Sequence, residues 1–242
     1  MKISFFFLFI LCTLSLQGRE PEAKKGRVIL IHGIMIHNSM SSLNRQFKRD
    51  NWDVMNWKYP STHKTIEEHG KELAAYLKDI SREDDRPIHY VAFSLGGLVL
   101  RSALNNEDLP LAAKEGKIIL ISSPINGSKL ARSLDYLPIV KNILGKHAGK
   151  QLCETSANEF ADQNFPTSMP ILVLSGTFGL NPIFNEKNDG KVAVSESCPH
   201  TPHVHRYILA GHSWICRNPM IFDECVNFIT NQSENHPCIY DH

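Results

Sequence analysis

The sequence has no excess of charge of either sign. Its 242 residues carry 26 Lys and Arg against 25 Asp and Glu, so no net field draws the chain to nucleic acid or to an anionic membrane. Nor is there an internal apolar run of the roughly 20 residues that a membrane-spanning helix needs. The longest run, ISFFFLFILCTLSL, is shorter than that and stands at the N-terminus behind Lys2. No internal repeat and no low-complexity stretch interrupts the chain. Cysteine is sparse, at six residues, and five of them fall in the C-terminal half. A chain of this length can bury a full core as one domain.

The N-terminal run has the length and the basic flank of a secretory signal, which places residues 1–18 outside the mature protein, with cleavage near Gly18. The expected location is therefore periplasmic or secreted, and an uncleaved membrane anchor is the alternative. Removal of that segment leaves 25 residues of each sign, because only Lys2 is lost. An oxidising compartment would allow one or two disulfides among Cys153, Cys198, Cys216, Cys225 and Cys238. Spacing does not give their pairing, and five buried apolar thiols are an equal reading.

From Arg27 the chain alternates between two kinds of segment. RVILIHG, WDVMNWKYP, PIHYVAF, KIILISSP, PILVLSG and HRYILAG read as strands, most of them continuous apolar runs of the kind that is covered on both faces. Between them lie a helix around residues 41–49, the amphipathic TIEEHGKELAAYLKDI and the apolar GLVLRSALNN, and PMIFDECVNFITN closes the series. Such alternation predicts an α/β fold with a mostly parallel sheet of about six strands and helices on both faces. The domain is expected over residues 27–230, followed by a C-terminal tail over 231–242.

Ligands of such sheets bind beyond the carboxyl ends of the strands. Those ends read HGIMIH after the first strand, FSLGG after the third, SGTFG and then NEKNDGKV after the fifth, and AGHSW after the sixth. A serine, an aspartate and a histidine thus follow in the order Ser94, Asp189, His212. A serine hydroxyl needs a base to take its proton and a third group to hold that base, which is the role each residue type can fill. Asp162 and Glu186 compete as the acid, but Asp162 precedes the fifth strand. Among the histidines, His205 begins the sixth strand and so lies at the wrong edge. His32 is better suited to stabilise its loop, and His37 to the surface. Ser94 could also be a turn serine capping the next helix, and Asp189 the first residue of an Asp-Gly turn.

With these motifs in place, the sequence resembles the α/β-hydrolases of the lipase and esterase type from about Arg27 to Thr230. Ala92-Phe93-Ser94-Leu95-Gly96 departs from the Gly-x-Ser-x-Gly pattern at its first position and has the Ala-x-Ser-x-Gly form of small bacterial lipases. The resemblance implies catalytic Ser94, Asp189 and His212, and an oxyanion hole from the N–H groups of Ile34 and Leu95. It implies a serine hydrolase of carboxylic esters of lipids or other hydrophobic substrates. Acyl transfer, thioester cleavage and amide cleavage would use the same triad, and a non-catalytic binding protein is disfavoured because it would not need the whole set. Activity is expected to fall in mild acid, where the histidine base protonates.

Nearly fifty residues separate the fourth and fifth strands, including SLDYLPIVKNILG, and residues 124–168 are expected to form a small cap. Together with Ile34, Met35, Ile36 and FGLNPIF, this insertion would wall an acyl-chain pocket, although ordinary core explains the same residues. The expected partner is an ester small molecule or lipid, with transient contact to a lipid surface. Cys198, His200, His203 and His205 cluster in CPHTPHVH. Zinc accepts such ligands, but structural sites usually show two separated pairs, and Pro199 and Pro202 favour a rigid loop. No metal and no cofactor is expected.

Overall fold

The computed structural model describes residues 23–35, 38–134, 147–154 and 163–231. Strands β1 (Arg27–Ile31), β2 (Asp53–Trp57), β3 (Ile88–Phe93), β4 (Ile118–Ile121), β5 (Ile171–Gly176) and β6 (Val204–Ile208) form one sheet. Its order is β2-β1-β3-β4-β5-β6, and every pair is parallel. The chain moves outward from β1 to β2, then returns past β1 to β3. That reversal opens a crevice at the carboxyl edge between β1 and β3.

Two apolar layers sandwich the sheet. Helices α2 (Ile66–Glu83) and α3 (Leu95–Leu104) cover one face, where Ile29, Ile31, Tyr90 and Ala92 meet Leu73, Leu77 and Leu98. Helices α1 (Ser41–Arg49) and α7 (Pro219–Thr230) cover the other, where Val28, Leu30, Val91 and Phe93 meet Phe47, Ile221 and Phe228. Successive strand residues therefore feed opposite layers, which is why all five residues of β1 are buried.

Local chemistry sets the helix ends. Thr65 Oγ1 accepts the Glu68 N–H at 3.1 Å and the Glu68 carboxylate accepts the Thr65 N–H at 2.8 Å, a reciprocal cap at the start of α2. The helix runs to Glu83, three residues past the sequence expectation, because its last turn is polar and carries no apolar period to read. Helix α3 begins at Leu95, two residues earlier than expected, and all its residues but Ser102 are buried. Strand β6 ends at Ile208 instead of Gly211, because the Ala210 N–H turns back to the Ile208 carbonyl at 2.8 Å.

Among the described residues, the stretch between β4 and β5 contains two short helices, α4 (Lys129–Ser133) and α5 (Ala148–Glu154). The rest of the expected cap, residues 135–146 and 155–162, lies outside the described residues, as do residues 1–18, Ile36, His37, Asp162, Cys238 and most of the C-terminal tail. Helix α6 (Val194–Ser197) lies between β5 and β6. No helix among the described residues is long and apolar enough to cross a membrane.

The disulfides that an oxidising compartment would allow are not formed among the described residues. Cys198, Cys216 and Cys225 are free. Burial pushes the Cys216 and Cys225 thiols far up, so both are apolar core groups.

His89 on β3 gives the fold an acid-sensitive point. Its Nδ1 accepts the Lys117 N–H at 3.1 Å, and burial, aided by the Lys117 charge, depresses its pKa to about 4 from an ordinary 6.5. A depressed folded-state value means that the unfolded chain takes up the proton first as pH falls. Stability should therefore be full above pH 6.5 and drop by up to about 3 kcal/mol on the way to pH 4. Urea unfolding across that window should show the slope in the native chain and a flatter one in His89→Asn, whose side-chain oxygen can still accept the Lys117 N–H. Equal slopes would assign the acid sensitivity elsewhere.

Candidate active site

Ser94 occupies the single residue between β3 and α3, at φ 53° and ψ −125°. A non-glycine residue reaches that region only at a cost of about 1–3 kcal/mol, and only when its surroundings fix it. They do so here. The Ser94 N–H continues the β3–β4 ladder to the Ile121 carbonyl at 3.0 Å, and its carbonyl accepts the Gly97 N–H at 3.1 Å. A Cβ on Gly96 would stand 2.7 Å from the carbonyl oxygens of Ile31 and His32, and one on Gly33 would stand 2.8 Å from Ser94 Cβ. Both positions therefore require glycine, the first so that α3 can start against the end of β1, the second so that the β1 loop can lie beside the serine.

The loops after β5 and β6 complete a hydrogen-bonded line. His212 Nε2 lies 3.1 Å from Ser94 Oγ, and its Nδ1 lies 2.7 Å from Asp189 Oδ2. Asp189 Oδ1 accepts the N–H groups of Lys191 at 2.9 Å and Val192 at 2.8 Å. Burial opposes ionisation of Asp189, but His212 and these two N–H groups outweigh it and hold the carboxyl below its usual range. An ionised Asp189 can only accept, so the proton sits on His212 Nδ1 and the Nε2 lone pair faces Ser94. The Asp189 carbonyl also takes the His212 N–H at 2.9 Å, and the imidazole packs on Phe93 with ring centres 4.9 Å apart.

Asp189 both opens an Asp-Gly turn and lies against His212. Gly190 has φ 94° and its N–H is accepted by Asn188 Oδ1 at 2.9 Å, and this turn aims both the carboxylate and the two N–H groups that charge it. Glu186, the rival acid, is turned away toward Lys129 Nζ at 2.9 Å and Ser195 Oγ at 2.7 Å. His205 lies on Ser175 Oγ at 2.8 Å, well removed from Ser94 in the hydrogen-bond pattern. His32 is a loop brace, as its position suggested: its Nε2 accepts the Tyr59 N–H at 3.3 Å, its Nδ1–H donates to the Gly33 carbonyl at 2.7 Å, and its ring stacks on Tyr59 at 4.4 Å. Both nitrogens are committed, which leaves no lone pair for base chemistry.

Leu95 is the first residue of α3, and a helix leaves its first N–H groups without intrahelical acceptors. Ile34 follows Gly33, against the serine. Sequence reasoning missed what aims this loop: Met35 is at φ 58°, and its N–H donates to the buried Ser61 Oγ at 2.9 Å. Nothing in WKYPST signals that contact. Ser94 itself retains only 8% of its surface, so the serine is reached through a crevice and does not stand in the open. Exposed apolar side chains ring the same edge: Met35 after β1, Phe178 and Leu180 after β5, and Leu209 and Trp214 after β6.

A family model described as "Putative serine esterase (DUF676)" matches residues 22–164. A search of curated proteins gave no match. Among solved structures, the mature lipase BlEst2 of Bacillus licheniformis superposes with a TM-score of 0.70 at 20% identity, over 88% of this chain and 95% of that one. Phospholipase PlaB from Legionella pneumophila gives 0.61 at 17%, over 87% of this chain and 58% of that one. The metagenomic carboxyl esterase MGS0156 gives 0.57 at 18%, over 81% and 68%. These likenesses establish the α/β-hydrolase fold that the motifs implied.

Proposed function

Because the chain belongs to the DUF676 family of serine esterases, we propose that it cleaves carboxylic esters of hydrophobic acyl chains through an acyl-enzyme on Ser94. The observation that carries this reading is the line from Ser94 Oγ to His212 to Asp189, at 3.1 and 2.7 Å, set on a strained turn at the mouth of the sheet crevice. His212 Nε2 takes the Ser94 hydroxyl proton as Oγ bonds to the ester carbonyl carbon. The carbonyl oxygen becomes an oxyanion, which the N–H groups of Leu95 and Ile34 receive in this reading; one such donor is typically worth about 2.7–4 kcal/mol. Collapse breaks the bond to the alcohol oxygen, which leaves with the proton from His212. Water then repeats the sequence and releases the acid.

Substrate class rests on the walls. The apolar rim of Met35, Phe178, Leu180, Leu209 and Trp214 suits an acyl chain and a passing contact with a lipid surface. The described ends of the 124–168 insertion support a cap across the crevice. Lys129 Nζ reaches Glu186 on the acid loop at 2.9 Å, while Gln151 Oε1 on α5 accepts the Ile66 N–H at 2.7 Å at the start of α2, beyond β2. The insertion is thereby tied to both ends of the carboxyl edge. The leading basic residue and apolar run favour export of this activity, with residues 1–18 removed.

Labelling with a fluorophosphonate, followed by mass spectrometry, should place the adduct on Ser94. A nitrophenyl ester series should then show kcat/KM rising from acetyl to octanoyl. Labelling without any turnover of octanoyl esters would keep the nucleophile and remove the acyl pocket. Absence of an adduct in folded protein would remove both.

A further inference from the structure

CPHTPHVH was not absorbed by the hydrolase site, and in the fold it closes on itself. Cys198 follows α6, His203 precedes β6, and His205 is the second residue of β6. One ligand atom from each, a sulfur and two imidazole nitrogens, lies within 4.8 Å of the other two. From this juxtaposition we propose that Cys198, His203 and His205 form a zinc site, separate from the Ser94 crevice, that clamps the segment after the acid loop to the edge strand.

The geometry of the ligands decides in favour of a metal of this type. Tetrahedral zinc with Zn–S near 2.3 Å and Zn–N near 2.0 Å puts its ligand atoms about 3.3–3.8 Å apart. Cys198 Sγ and His205 Nδ1 already stand at 3.5 Å, and the other two pairs, within 4.8 Å, need to close by up to about 1.5 Å. Each histidine has its other nitrogen anchored on an oxygen. His203 Nδ1 lies 3.0 Å from the Thr201 carbonyl, which only accepts, so Nδ1 carries the proton and the lone pair is on Nε2. His205 Nε2 lies 2.8 Å from Ser175 Oγ, and donation to that hydroxyl puts the lone pair on Nδ1, facing the thiol. An imidazole whose second nitrogen is held by an oxygen acceptor is the usual arrangement around a metal-bound histidine.

The surroundings fix the third ligand as well. Asn126 Nδ2 donates to the Cys198 carbonyl at 2.8 Å and to the Ser195 carbonyl at 3.2 Å, which locks the turn that presents the thiol. Pro199 and Pro202 restrict the backbone between the ligands. Thiolate with two imidazoles favours zinc over the oxygen-seeking calcium and magnesium. Binding balances as loss of one proton: Zn²⁺ replaces the hydrogen on Cys198 Sγ, the proton goes to solvent, both histidines bind neutral, and water completes the fourth position. Two separated ligand pairs are absent from the sequence because the site borrows its rigidity from a strand and a helix end already in place.

The test uses the full mature chain, stripped with chelator, reduced with a phosphine and titrated with Co²⁺ and then Zn²⁺. One equivalent of Co²⁺ should give a thiolate-to-cobalt charge-transfer band with tetrahedral visible bands, and one equivalent of Zn²⁺ should erase them. Zinc at about a hundred times its Kd should raise Tm by roughly 5–10 °C. Both effects should vanish in Cys198→Ala and in His203→Gln, the second on a loop where a fold defect is least expected. Fluorophosphonate labelling of Ser94 in each variant reports that the chain is folded. Absence of the thiolate band in the reduced native chain, or its persistence in Cys198→Ala, would overturn the site.

Discussion

Replacing Ser94 with alanine should lower kcat on an ester substrate by about 10⁴–10⁶-fold while leaving the fold in place. The methyl group keeps the Cβ that packs on Gly33, and only the hydroxyl facing His212 Nε2 is lost. His212→Ala should cost a similar factor. The double variant should be no slower than either single one, because the residues act as one proton-transfer unit and their effects do not add. Asp189→Asn should cost about 10⁴-fold, since an amide can present N–H to His212 and stabilise the wrong tautomer. Turnover measured against the concentration of folded protein checks all four. More than about a hundredth of native activity in Ser94→Ala would mean that another nucleophile does the chemistry. Because Asp189 is held below the usual carboxylate range, it stays ionised in mild acid and its own protonation should contribute nothing to a loss of activity there.

Much of this was legible in the sequence for a physical reason. A parallel sheet buried on both faces writes its strands as continuous apolar runs, and the residues just past those runs are then the only ones that can meet over the carboxyl edge. Ser94, Asp189 and His212 were found in that way. Contacts between loops leave no such trace. Ser61 bonding the Met35 N–H, the Tyr59 N–H on His32 and the Asn126 side chain on Cys198 are each set by how two turns approach. No period or spacing encodes them. The spacing of CPHTPHVH is silent for a related reason, because the approach of Cys198, His203 and His205 comes from α6 and β6 and not from the interval between residues. The end of β6 was misplaced because Leu209 and Ala210 continue the apolar run after the backbone has already turned away.

Arg101 shows the same limit in a place where the energy is large. Nothing in GGLVLR marks it as buried, yet it is the largest of the side chains that α3 buries completely. Its guanidinium donates to the Ile125 carbonyl at 3.0 Å and the Gln163 carbonyl at 3.1 Å, which are the entry and exit of the insertion between β4 and β5. Burial lowers its pKa to about 10, so it remains charged at neutral pH and its bonds are of the stronger, charge-assisted kind. Arg101→Met keeps most of the stem's packing but strands two carbonyls, each at about 1–3 kcal/mol, and relief of the guanidinium's own desolvation returns part of that. The net loss should be about 2–4 kcal/mol, or roughly 5–15 °C in Tm for a chain of this size. Arg101→Lys should fall between, since both bonds come from Nη1 and an ammonium on the shorter lysine stem cannot stand at that position. Urea and thermal unfolding measure these differences, and a loss under about 1 kcal/mol in Arg101→Met would mean that other contacts hold the two stems. If the insertion walls the acyl site, kcat/KM should drop more for octanoyl than for acetyl esters in the same variant, because the nucleophile stays where it was while the wall above it loosens.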